Sequence, residues 1–199
     1  MIVFRIRGVK VSFDIGFLSI ISFVMLSGGK YYGLTFVSCM IHELGHLIQM
    51  FLSDESVSVI SFNISGITIV PCHKKINSFW NDICILLGGP FANLVTALFS
   101  FYIAGGNINI FMLINLILGL FNLLPFSKLD GGSIVCTLAE CFMSCEKKEL
   151  FTRYFCIFNI IILVVFCFVF SEYILSNISL VIMIFYLFFT EIITMRNLK

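Results

Sequence analysis

Charge is what this chain has least of. Only 12% of its 199 residues are Asp, Glu, Lys or Arg, while 60% are hydrophobic and mean hydropathy reaches +1.09. Soluble domains of this size carry about a quarter charged residues, so that class is excluded and a multispanning membrane protein embedded in a lipid bilayer is implied. A net charge of +1 supplies no field for nucleic acid or acidic partners, and no nucleic-acid partner is expected. No small-residue cleavage pattern follows the first apolar stretch, so a removable signal is not expected. The eight cysteines include no C-x-x-C pair, and the spacing of Cys136, Cys141 and Cys145 matches no zinc pattern; they read as small packing residues in a reduced or lipidic setting. The two halves show no internal similarity, which argues against a transporter built from inverted repeats.

What is present is arranged in apolar runs. Residues 14–27, 31–52, 79–104, 108–124, 154–170 and 174–194 read as six membrane spans, the first rather short for a crossing and the last two plain. Residues 2–13 alternate apolar and polar on either side of Arg7-Gly8, which predicts two short strands. Residues 56–70 are rich in β-branched side chains and alternate about Ser65-Gly66, which predicts a β-hairpin at the membrane surface. The third span is entered through Trp80 and interrupted by Gly88-Gly89-Pro90, with Asn93 just beyond; a distorted or broken helix is expected there. After Pro125 come Leu129-Asp130-Gly131-Gly132, a further helix over 133–145 and a charged stretch over 146–153. The expected fold is an α-helical integral membrane protein of about six transmembrane helices with short membrane-surface β-strands. It forms one domain over 1–199, with a β-like lead-in at 1–14, a core at 15–132 and C-terminal helices at 133–199. With six spans every Lys and Arg except Lys30 falls on one side, so both termini are expected in the cytoplasm.

The chemistry lies in the second span, at His42-Glu43-Leu44-Gly45-His46. On a helix, histidines at i and i+4 share a face one turn apart, where two imidazoles can bind one metal ion while Glu43 addresses water at that ion. Accidental occurrence is a poor explanation inside a span, because ionisable side chains there are costly and usually functional. Two histidines leave a hydrolytic zinc one protein ligand short. Asp130 is the best supply, as the acid in a glycine-flanked, proline-preceded break at a helix end. An ordinary turn acid is its bland alternative. The six-span topology places His46 and Asp130 near the same, cytoplasmic, ends of their helices.

Taken together, His42-Glu43-Leu44-Gly45-His46, Gly88-Gly89-Pro90-Phe91-Ala92-Asn93, and Asn122-Leu123-Leu124-Pro125 followed by Leu129-Asp130-Gly131-Gly132 resemble the site-2 protease family of intramembrane zinc metalloproteases. The order of the motifs matches, as do the strand-like lead-in and the hairpin, so the resemblance covers roughly residues 1–135. It implies zinc bound by His42, His46 and Asp130, Glu43 as general base, and a membrane-protein substrate cut within or near the bilayer. It makes Asn122, and with it Asn93, candidates to orient substrate or stabilise the oxyanion. No PDZ-like insertion and no nucleotide-sensing domain is expected, as in the compact branch that includes sporulation sigma-factor-processing enzymes; a homo-oligomer or a membrane regulator is left open. His73 lies outside every family motif and reads as a surface-loop residue. Rival readings are a membrane zincin whose third ligand is Glu140 or Glu172, and a catalytically inactive binding or chaperone protein on a protease fold. The intact Glu43 argues against the latter.

Overall fold

Alternation along residues 2–13 and 56–71 becomes a four-stranded sheet in the structure, a computed structural model that describes residues 2–6, 9–13, 29–53, 57–63, 66–71 and 79–198. The first apolar run, the Arg7-Gly8 link, Ser65 and the segment with His73 lie outside the described residues. Contacts cluster into two compact units, Met1–Phe121 and Asn122–Lys199.

In the first unit, β1 (Ile2–Ile6) runs antiparallel to β2 (Val9–Phe13), and β3 (Val57–Asn63) antiparallel to β4 (Gly66–Pro71). Sequence patterning gave the two hairpins but not their joining: β2 lies parallel to β3, from Lys10 opposite Val59 to Phe13 opposite Phe62. Parallel neighbours require a long crossover, and the connection between Phe13 and Val57 includes the helix Lys30–Leu52. The order β1-β2-β3-β4 leaves β1 and β4 as edges.

Helix α1 (Lys30–Leu52) has 23 residues, about 35 Å at 1.5 Å per residue. It packs on α2 (Phe79–Ile103), which runs through Pro90 without a break, contrary to the interruption expected from Gly88-Gly89-Pro90. Proline removes a single N–H, the one that would meet the Leu86 carbonyl, and a long helix absorbs that loss. The glycines serve contact instead. A Cβ on Gly45 would overlap the Gly88 carbonyl oxygen, and one on Gly88 would stand 2.6 Å from the Gly45 oxygen, so the two backbones touch there. Close approach through small residues is how membrane helices pack without a hydrophobic driving force. Gly105 and Gly106 then turn the chain at φ of 64° and 82°, values only glycine adopts readily. The Asn109 side chain accepts from the Met112 amide at 2.9 Å, capping α3 (Ile110–Asn122). Buried Asn115 on α3 donates to buried Ser38 on α1 at 2.9 Å.

The second unit holds the loop 123–129, α4 (Asp130–Phe142), α5 (Cys145–Val169), α6 (Ser171–Ser176) and α7 (Ile178–Asn197). The helix expected over 133–145 starts earlier, at Asp130. The charged stretch 146–153 forms the first turns of α5, where Glu146 suits a helix N-terminus and Lys148 pairs with Glu140. The sixth apolar run divides at Asn177 into α6 and α7. Among the described residues, three helices are long and apolar enough to cross a membrane: α2, α5 and residues Leu180–Asn197 of α7. Helix α3 is apolar but shorter.

Candidate metal centre

The histidines of α1 meet as the helical spacing requires. Their rings stand edge to face with centroids 4.8 Å apart, and the two Nε2 atoms are 3.2 Å apart. Two nitrogens bound at 2.0–2.1 Å to one tetrahedral ion lie about 3.3 Å apart, so this spacing fits a shared zinc. His42 is buried and His46 half-buried.

Both rings are held from α2. His46 Nδ1 lies 2.7 Å from the Ile85 carbonyl oxygen. A carbonyl only accepts, so Nδ1 carries the proton and Nε2 keeps its lone pair, the tautomer that a metal requires. His42 Nδ1 lies 3.4 Å from Asn93 Nδ2, and Asn93 is fully buried with its Oδ1 unpartnered. A half-turn of that amide, indistinguishable in shape, lets Oδ1 accept from Nδ1–H and gives His42 the same metal-ready tautomer. Gly89 completes the arrangement. A Cβ there would stand 2.7 Å from His42 Nε2 and would overlap His46 Nε2, so only glycine keeps open the space that both nitrogens face. Tautomers, spacing and cradle all fit a bound zinc ion.

Glu43, half-buried, follows His42 on the same helix. Asp130 and Asn122 belong to the second unit. Asp130 opens α4, where a carboxylate is favoured by the helix dipole, and Leu129 is the N-cap. The flanking glycines are there for space: a Cβ on Gly131 would overlap the Leu123 carbonyl oxygen, and one on Gly132 the Phe126 oxygen. The loop therefore folds directly over the first turn of α4. Asn122 ends α3 and is half-buried. Of the rival ligands, Glu140 is exposed and paired with Lys148, and Glu172 is exposed on α6. Sequence reasoning missed the space-keeping role of Gly89 and, in the C-terminal helices, the fully buried polar residues Asn159 and Glu191. The signal for the last two was only that each stands alone in an apolar run.

Residues 105–169 match the profile of peptidase family M50, a stretch that contains Asn122 and Asp130 and leaves out the histidine motif. A protein of Synechocystis sp. named as a candidate zinc metalloprotease is 33% identical over 113 residues, which cover 51% of this chain and 29% of that protein. The chain thus spans under a third of that relative's length. The solved structure of the site-2 protease from Methanocaldococcus jannaschii superposes with a TM-score of 0.64 at 22% identity, covering 98% of this chain and 94% of that one. The chain thus resembles a site-2 protease in fold, and peptidase family M50 in sequence over part of its length. The likeness reaches further than the motifs alone indicate. It was expected over roughly 1–135, whereas the family profile runs through α4 and α5 and the fold match takes in nearly the whole chain.

Proposed function

We propose that this protein is an intramembrane zinc metalloendopeptidase that cuts transmembrane or membrane-associated protein substrates, with His42, His46 and Asp130 as zinc ligands and Glu43 as general base. The observation that carries the reading is the histidine pair: two Nε2 atoms 3.2 Å apart face a space that Gly89 alone leaves open. Bound zinc supplies Lewis-acid polarisation of the scissile carbonyl and lowers the pKa of water. Glu43 takes the proton of the attacking water and passes it to the leaving amine. Ile85 and Asn93 hold the two imidazoles from behind, while Asn122 orients the substrate or stabilises the oxyanion. Asp130, at the start of α4, adds the carboxylate that two histidines lack. In this reading the two units act as a single membrane-embedded domain over 1–199, multispanning, with both termini in the cytoplasm.

The test is co-expression with a panel of single-span membrane proteins from the same cell, comparing wild type with Glu43→Gln. Wild type should cleave at least one panel member. Glu43→Gln should retain zinc and lose activity by roughly a hundred- to ten-thousand-fold, the usual worth of general acid–base catalysis. Cleavage by Glu43→Gln at the wild-type rate would sink the mechanism.

A further inference from the structure

Inside α7, in a segment apolar enough to cross a membrane, Glu191 is fully buried. A carboxylate in such a place is costly and is kept only with partners. Its partners all concern one loop. The Ser127 amide donates to Glu191 Oε1 and the Ser127 hydroxyl to Oε2, each at 2.7 Å. Asn159 on α5, also fully buried, donates to the Pro125 carbonyl at 2.7 Å and to Glu191 Oε1 at 3.3 Å. Cys156 Sγ stands 3.5 Å from the Ser127 hydroxyl. Two side chains from the last long helices thus grip the loop at Pro125 and Ser127, three to five residues before Asp130. Backbone outside a helix is tolerated at membrane depth only where protein satisfies its polar groups, and these bonds satisfy an amide and a carbonyl of the loop. From Ser127 the path to Asp130 is short and stiff: the Leu129 amide bonds the Phe126 oxygen at 2.8 Å, and the Ser133 amide bonds the Leu129 oxygen at 3.0 Å.

We propose that Glu191 and Asn159 are positioning residues that fix Asp130 through the loop 123–129, so that the C-terminal helices act on the metal site without touching substrate. This rests on the reading of Asp130 as a zinc ligand. Groups that orient metal ligands from behind are commonly worth ten- to a hundredfold in metal affinity or activity.

The experiment measures zinc affinity by chelator competition, kcat and KM, and amide exchange over 123–131 in purified full-length protein. Glu191→Leu should weaken zinc binding by about ten- to a hundredfold, lower kcat with KM unchanged, and speed exchange in the loop. Glu191→Gln keeps an oxygen for the Ser127 amide and an N–H that the hydroxyl can accept, so it should restore zinc affinity to within several-fold of wild type. Wild-type zinc affinity in Glu191→Leu, or a Gln variant no better than Leu, overturns the proposal. Should Glu191→Leu not fold, Ser127→Ala carries the test: several-fold weaker zinc binding supports the proposal and wild-type binding overturns it. Asp130→Asn separates the two readings. Undiminished zinc there removes Asp130 as a ligand. If zinc falls, adding Glu191→Leu should weaken it no further, and a fully additive second loss overturns the positioning role alone.

Discussion

At Gly89 the absence of a side chain leaves open the space beside the Nε2 atoms of His42 and His46. Its missing Cβ is the space that His42 and His46 Nε2 face, so Gly89→Ala is expected to remove most bound zinc. Gly45→Ala would instead push apart α1 and α2 at the Gly88 carbonyl, and should cost both zinc and thermal stability. Metal analysis alongside thermal unfolding of metal-stripped protein distinguishes them, because bound zinc itself raises the melting temperature: Gly89→Ala should match metal-free wild type in melting temperature while failing to take up metal, and full zinc content in that variant would mean that the ion sits elsewhere. The histidines themselves were legible in the sequence because i, i+4 spacing is set by the helix alone. Gly89 was legible as a helix breaker and a motif member but not for the space it leaves, since what surrounds a glycine is a tertiary fact. Asn93 was legible as a motif member, but its place against the His42 ring depends on the register in which two helices pack. Glu191 had a signal that went unread: an ionisable residue inside an apolar run calls for an explanation wherever it occurs.

Among the described residues, the sheet has edges at β1 and β4, and a strand edge offers amides and carbonyls to any extended chain. A peptide bond within a substrate helix is shielded by its own hydrogen bonds, so the helix must unwind before cleavage, and its freed backbone then needs partners. Adding the substrate as a further strand on an edge would supply them with little regard to side chains. In an antiparallel strand, successive residues point their N–H groups alternately toward and away from the neighbour. One of Thr68 and Ile69 in β4 therefore bonds β3 and the other faces outward. Proline at the outward position should lower cleavage with zinc content and melting temperature unchanged, whereas proline at the inward one should destabilise the sheet. Full activity in both variants would leave the sheet as a surface anchor. Each hairpin was legible from its period of two, because that pattern is local. The parallel pairing of β2 with β3 was not, because it joins segments more than forty residues apart, well beyond the crossover of about a dozen residues that parallel strands require.

For the whole molecule, the question is how α3 and the loop after it stand in the bilayer. Thirteen helical residues reach about 20 Å at 1.5 Å per residue, short of a hydrocarbon core about 30 Å thick. The segment that would complete a crossing is the loop 123–129, and lipid does not tolerate exposed irregular backbone. Its Pro125 carbonyl and Ser127 amide are instead met by Asn159 and Glu191, and its Leu123 and Phe126 carbonyls lie against Gly131 and Gly132. A loop provided with protein partners in this way can complete the crossing. The orientation proposed from the distribution of basic residues puts Lys147, Lys148, Arg153 and Arg196 on the cytoplasmic side and Asn107 on the other. Single cysteines at Asn107 and Glu149, both exposed, placed in a cysteine-free background that still binds zinc, test this with a membrane-impermeant maleimide. Asn107→Cys should react in intact cells and Glu149→Cys only after permeabilisation. The reverse pattern would invert the orientation, and equal labelling of both in intact cells would mean that α3 and its loop do not cross.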